Sequence, residues 1–208
     1  MSKTGEVYEN PVTGERAVVR LGTEESDGGR LVVDLYVAPG GAVAGEHVHQ
    51  DIEEIFTVVR GTVGFRLDGR EDVASPTRRL VVSPRTVHDW WNAGQEEAHV
   101  IVELRAEKRR LDRFELMIST LYGLARDGET DARGKPGILQ ASLLAREFDD
   151  VMVFTKPPRF VQRLLFGTLA PVAHLLGFRA SYPEYGPSGF VEVEPWLDRI
   201  ETFDRMEH

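Results

Sequence analysis

One block of text constrains the chain more than any other: Gly41-Ala-Val-Ala-Gly-Glu-His47-Val-His49-Gln-Asp-Ile-Glu-Glu54-Ile-Phe-Thr-Val-Val-Arg-Gly61. It runs glycine, five residues, His-x-His, four residues, glutamate, six residues, glycine. On an extended strand alternate side chains share a face, so His47 and His49 point the same way, about 7 Å apart, and can converge on one ion. Glu54 follows a short bend and opens the next apolar strand, within reach of the same point. Gly61 then permits the tight turn that sends the chain back.

A third imidazole comes later, in Val82-Ser-Pro84-Arg-Thr-Val-His88-Asp-Trp-Trp-Asn92, where His88 follows a proline-bearing turn after a strand. The chain has no cysteine. That excludes disulfides, thiolate catalysis, iron–sulfur clusters and Cys-type zinc sites, and leaves nitrogen and oxygen as the metal donors. Three neutral histidines and one carboxylate leave a divalent ion positively charged, with open positions for water or a chelating substrate.

The text around this block is β in character up to Arg105. Short β-branched runs at 17–21, 31–37, 55–59, 62–67, 80–82 and 98–104 are separated by turn signals such as Asp27-Gly28-Gly29, Pro39-Gly40-Gly41 and Asp68-Gly69. Short strands at this spacing with no helical text between them indicate an antiparallel sandwich or barrel. After Ala106 the period changes. Leu111, Phe114, Met117, Ile118, Leu121 and Tyr122 recur at helical intervals, and further helical patterns follow at 137–148 and from Pro157 to Gly177. The expected organisation is therefore a β-barrel over 1–106 and a helical extension over 107–208 packed on it.

The two blocks resemble the paired signatures of the cupin superfamily, G-x5-H-x-H-x(3,4)-E-x6-G and P-x-G-x-x-H-x3-N. The first is matched in full. In the second, His88 and Asn92 keep their spacing, while Thr86 stands where glycine is usual and Pro84 lies one residue nearer the histidine. The second half resembles single-cupin proteins with a C-terminal helical extension, through Leu121-Tyr-Gly-Leu-Ala-Arg-Asp-Gly-Glu, Gly134-Lys-Pro-Gly-Ile-Leu-Gln, Pro157-Pro-Arg-Phe-Val-Gln-Arg and Leu176-Gly-Phe-Arg-Ala-Ser-Tyr-Pro-Glu-Tyr. The resemblance implies a mainly-β antiparallel jelly-roll barrel with His47, His49, Glu54 and His88 around a metal ion (iron, manganese, nickel or zinc) at its mouth. It also implies a homodimer. The spacing to Gly61 selects Glu54 over Glu53, which falls on the opposite face toward solvent.

Other residues extend this reading. Trp90 shares the phase of His88, and Phe56 that of Glu54. With Phe65 they would wall a largely apolar pocket for an organic ligand. His99 and Glu103 alternate with Val100, Val102 and Leu104; if their side faces inward, they are candidates for moving a proton near the metal. Arg60 and Arg66 read as surface arginines, and His174 as a buried histidine of an apolar helix. Three accounts of the extension stand: it caps the barrel, it extends a subunit interface, or the stretch from Phe160 to Phe178, flanked by Arg159, Arg163 and Arg179, meets a membrane surface.

The net charge of −9 argues against a nucleic-acid partner. The polar start and the lack of a long apolar run argue against export and against a membrane span, and the expected location is the cytoplasm. The expected function is that of a mononuclear metal protein acting on a small organic molecule. A dioxygenase-type oxidoreductase comes first; a non-redox isomerase, cyclase or lyase, or a ligand-binding module, are the alternatives.

Overall fold

The structure is a computed structural model that describes residues 2–42 and 45–194. Ten strands precede the first long helix: β1 (Glu6–Asn10), β2 (Glu15–Leu21), β3 (Arg30–Val37), β4 (His47–Val48), β5 (Glu53–Arg60), β6 (Val63–Leu67), β7 (Arg70–Ala74), β8 (Arg79–Val82), β9 (His88–Asn92) and β10 (Ala98–Arg105). Then come α1 (Lys108–Arg126), α2 (Ile138–Glu147), β11 (Val153–Phe154), α3 (Arg159–Leu175) and β12 (Gly189–Phe190). The strands form two antiparallel sheets, one in the order β12-β1-β2-β3-β10-β5-β8 and the other in the order β11-β4-β9-β6-β7. The fold is mainly β, a jelly-roll barrel followed by helices.

The alternation of side chains decides which face of each strand meets the other sheet. On β3 the inward set is Leu31, Val33, Leu35 and Val37; on β10 it is Ala98, Val100, Val102 and Leu104. These join Phe56 and Val58 of β5 and Trp90 of β9 in one core. The β5–β10 register sets Phe56 opposite Val102 and Glu54 opposite Leu104, so Glu54 faces inward among apolar neighbours.

The helical half is woven into this barrel. β11 pairs with β4, and β12 pairs with β1, so the second half adds an edge strand to each sheet. Leu111, Met117 and Leu124 of α1, with Leu144, Phe148 and Val151, belong to the same core as the strands. Gly123 lets α1 approach the tail closely: a Cβ there would lie 2.1 Å from the Tyr185 ring. Among the described residues no helix is long and apolar enough to cross a membrane.

β7 was not visible in the hydrophobic text, because its first four residues are exposed and polar or solvent-facing. The structure corrects the expectation for His174, which is exposed. Its helix packs on α2 through Ala170 and Ala173, and a residue next to that face looks outward.

Candidate metal centre

Four elements bring the predicted donors together. His47 lies on β4, His49 just beyond it, Glu54 on β5 and His88 on β9, with His47 and His88 directly paired in register. All four side chains are buried, and their donor atoms lie within 4.8 Å of one another. His47 Nε2 and His49 Nε2 are 3.2 Å apart; Glu54 Oε2 is 2.7 Å from His88 Nε2 and 3.6 Å from His49 Nε2.

The outer ring nitrogens fix what the inner ones can do. Nδ1 of His47 donates to the Gly45 carbonyl at 2.7 Å, that of His49 to the Val151 carbonyl at 2.8 Å, and that of His88 to the Thr86 carbonyl at 3.0 Å. A carbonyl only accepts, so each Nδ1 carries a hydrogen, and each neutral ring presents a bare Nε2 lone pair. Three lone pairs and a carboxylate oxygen thus face one another. Glu54 Oε2 and His88 Nε2, though close, have no partner in hydrogen-bond geometry. Buried acceptors arranged this way repel unless a cation lies among them, and ligands bonded at about 2.1 Å stand about 3 Å apart when adjacent. The donor set therefore fits a divalent ion, with the three carbonyls orienting the rings.

The electrostatics favour a neutral His47 and an anionic Glu54. Burial, reinforced by the neighbouring His88 and His49, pushes His47 down to about 3, so its ring is neutral near pH 7. Burial alone would raise Glu54, but His49 and His88 overcome it and hold the carboxyl down at about 2. Burial opposes protonation of His88, and Glu54 beside it outweighs that and raises it.

The turn before His88 is made without glycine. Arg85 takes the left-handed φ of 71°, and its N–H donates to the His49 carbonyl at 2.7 Å. The positive φ thus sits one residue ahead of Thr86 and ties the two histidine segments together.

A cavity of about 110 Å³ leads inward from Glu54. Phe56 and Trp90 line it, together with Leu35 and Val102 of the barrel and Phe114 and Ile118 of α1. Phe65 is not on this wall: it stacks behind Trp90 at 6.4 Å and faces an open cleft beside β7 and β8. The sequence showed the apolar stripe of α1 but not its target, and α1 proves to form one wall of the cavity. Phe114 also meets the His49 ring edge-on at 5.9 Å.

His99 and Glu103 lie on the other face of their strand. Because Ala98, Val100, Val102 and Leu104 take the inner face of β10, the odd-numbered residues point outward. His99 Nε2 bonds to Asp34 Oδ1 at 2.7 Å and stacks on Tyr36, and Glu103 is held between Arg30 and Arg105. The structure does not bring either to the four donors. Glu53 also faces outward, 3.7 Å from Arg105.

Part of the chain is similar to known proteins. The family model of the cupin domain matches residues 34–103. A predicted oxalate decarboxylase from Thermotoga maritima superposes with a TM-score of 0.44 at 19% identity, over 50% of this chain and 92% of that one. KdgF from a Halomonas species gives 0.43 at 19% identity, over 50% and 91%. A sugar phosphate isomerase of the cupin superfamily from Silicibacter pomeroyi gives 0.41 at 18%, over 50% and 69%. No curated protein matches the chain.

Proposed function

Residues 34–103 form a cupin domain, and from that premise we propose that His47, His49, Glu54 and His88 hold one divalent metal ion and that the chain is a dioxygenase-type oxidoreductase for a small, largely apolar molecule with a chelating head. When bound, the ion supplies Lewis acidity and, as iron, one-electron chemistry with dioxygen. The protein's own groups do the rest. Three carbonyl-anchored imidazoles and Glu54 fix the centre, and Phe56, Trp90 and Phe114 exclude water and orient an apolar body beside it.

The observation that carries this reading is the character of the cavity wall. Among the described residues it contains no lysine or arginine, which disfavours a phosphorylated substrate. Beyond the donor set, the one carboxylate on the wall among the described residues is that of Glu115. The hydroxyls of Tyr8 and Tyr122 are pushed up by burial and by Glu6 and Glu15 respectively, and so stay protonated. Glu115 accepts bonds from Ser2 and Thr23. With His99 and Glu103 turned away, the isomerase or lyase alternative would have to use Glu115, which Ser2 and Thr23 already engage. A cytoplasmic homodimer belongs to the same proposal, and the mass of the purified protein in solution tests the dimer.

The test is elemental analysis of protein purified without added metal, followed by oxygen uptake with a panel of enol and catechol-like compounds, in air and anaerobically. Bound iron with oxygen-dependent turnover is the expected result. Turnover that persists without oxygen favours an isomerase or lyase, and metal with no turnover across the panel favours a binding module.

A further inference from the structure

The segment carrying α3 differs from the rest of the chain in charge and in surface. From Val151 to Pro183 there is no aspartate or glutamate, while Lys156, Arg159, Arg163 and Arg179 all fall within it, in a chain of net charge −9. One flank of α3 packs on α2 around Leu143, Ala170 and Ala173. The other flank is open: Phe160 is 74% exposed, Leu164 72%, Leu175 86% and Leu176, just past the helix, 64%. Spacings of four and three residues, from Phe160 through Leu164, Thr168 and Pro171 to Leu175, align these positions in a strip that no charge interrupts. Arg159 and Arg163, next to Phe160 and Leu164, are exposed and make no ion pair among the described residues. Arg179 is engaged by Glu184, and Lys156 lies 3.5 Å from Glu46.

An apolar strip this large on a water-facing helix marks a contact surface. The charges select the occupant. A second copy packed helix to helix about a two-fold axis sets α3 against α3, and α3 itself carries no carboxylate to face Arg159 and Arg163. A bilayer with anionic headgroups supplies both needs at once: acyl boundary for Phe160, Leu164 and Leu175, and phosphate for the two guanidiniums. The helix is also tied to the cavity side of the barrel. Gln162 donates to the Phe154 carbonyl at 2.8 Å, and the half-exposed Phe154 ring lies 6.5 Å from that of His47.

We propose that α3 is a membrane-surface docking helix that lies in the interface of bilayers bearing anionic lipids and sets the His47 side of the barrel beside the membrane. Docking needs no metal and stands independently of the reaction proposed above.

Co-sedimentation of the full chain with vesicles tests it, using phosphatidylcholine alone and phosphatidylcholine with roughly one-third phosphatidylglycerol. The expected result is binding to the anionic vesicles at least about tenfold tighter than to the neutral ones, and weakened by salt. Phe160→Ser with Leu164→Ser is expected to weaken it by at least about tenfold. Arg159→Gln with Arg163→Gln is expected to remove the preference for anionic lipid. All four positions are exposed, so an unchanged circular dichroism spectrum separates loss of docking from loss of fold. A wild-type chain that leaves both vesicle types bare overturns the proposal, as does binding that neither double variant alters. Concentration-dependent dimers that the Phe160/Leu164 variant dissociates, without vesicle binding, overturn it in favour of a second copy.

Discussion

His49 donates its Nδ1–H to the main-chain carbonyl of Val151, 102 residues further along the chain, at 2.8 Å. A donor of the candidate metal centre is thus oriented by the helical half of the molecule. The carbonyl is held by a turn in which the Val151 and Met152 N–H groups both bond to Phe148 O, at 2.9 and 3.0 Å.

The Phe148 side chain anchors that turn in the core. Phe148→Ala is expected to cost about 3–5 kcal/mol of stability and to loosen metal retention by about 10–100-fold, as the loss of an orienting partner does. Leu143→Ala, in the separate α2–α3 cluster, is expected to cost about 2–5 kcal/mol while leaving metal content unchanged. Denaturant titration beside elemental analysis reads both.

Adjacent carboxylates are expected to behave differently. Glu54→Gln removes the one anionic donor and should weaken metal binding by more than about 100-fold. Glu53→Gln, on the solvent side beside Arg105, should change it little and cost no more than about 1 kcal/mol of stability. Titration calorimetry of metal into each variant makes the comparison.

Glu15 gives a pH prediction away from the metal donors. Burial raises its carboxyl to about 7, against the lowering effect of the Tyr122 hydroxyl that donates to it at 2.9 Å. Raised above its unfolded value, the group keeps its proton in the native state, so its stabilisation is complete below about pH 4.5 and is lost as pH rises through about 7. Glu15→Gln keeps an acceptor for Tyr122 and cannot ionise. Relative to wild type, the variant is expected to gain about 2–3 kcal/mol between about pH 5 and pH 8. Parallel urea denaturations at the two pH values would show no such gain if Glu15 ionises normally.

Arg85, at φ 71°, is strained because its Cβ crowds the backbone in the left-handed region. Arg85→Gly keeps the N–H that donates to His49 O and is expected to raise stability by about 0.5–1 kcal/mol after the added freedom of the unfolded chain is offset. Arg85→Val should lower it. Thermal melts of the metal-free proteins rank the three.

The periodicities that were legible in the text were those set by a buried face. The alternation on β3, β5 and β10 and the stripes on α1 and α2 follow from the need to hide one side, and the four candidate donors were legible because their spacing has few other uses. Strand β7 was hidden because an exposed strand carries no such stripe. The direction of His99 and Glu103 was ambiguous because both faces of β10 hold apolar residues: Ile101 packs with Val32 on the outside. Phe65 had the right phase but stands one layer behind Trp90, a matter of depth that alternation cannot encode. The Val151 carbonyl left no trace in residue type, since every residue has one.

The pairing of Glu6 with Phe190, and of Val48 with Val153, has a consequence for how the molecule is born. A ribosome releases the strands β1 and β4 long before their neighbours at 153–154 and 189–190 exist, so neither sheet reaches its full width until those residues have been made. Contacts so distant in sequence slow folding and leave bare edges waiting. The nascent chain is therefore expected to lean on chaperones until its last strand arrives.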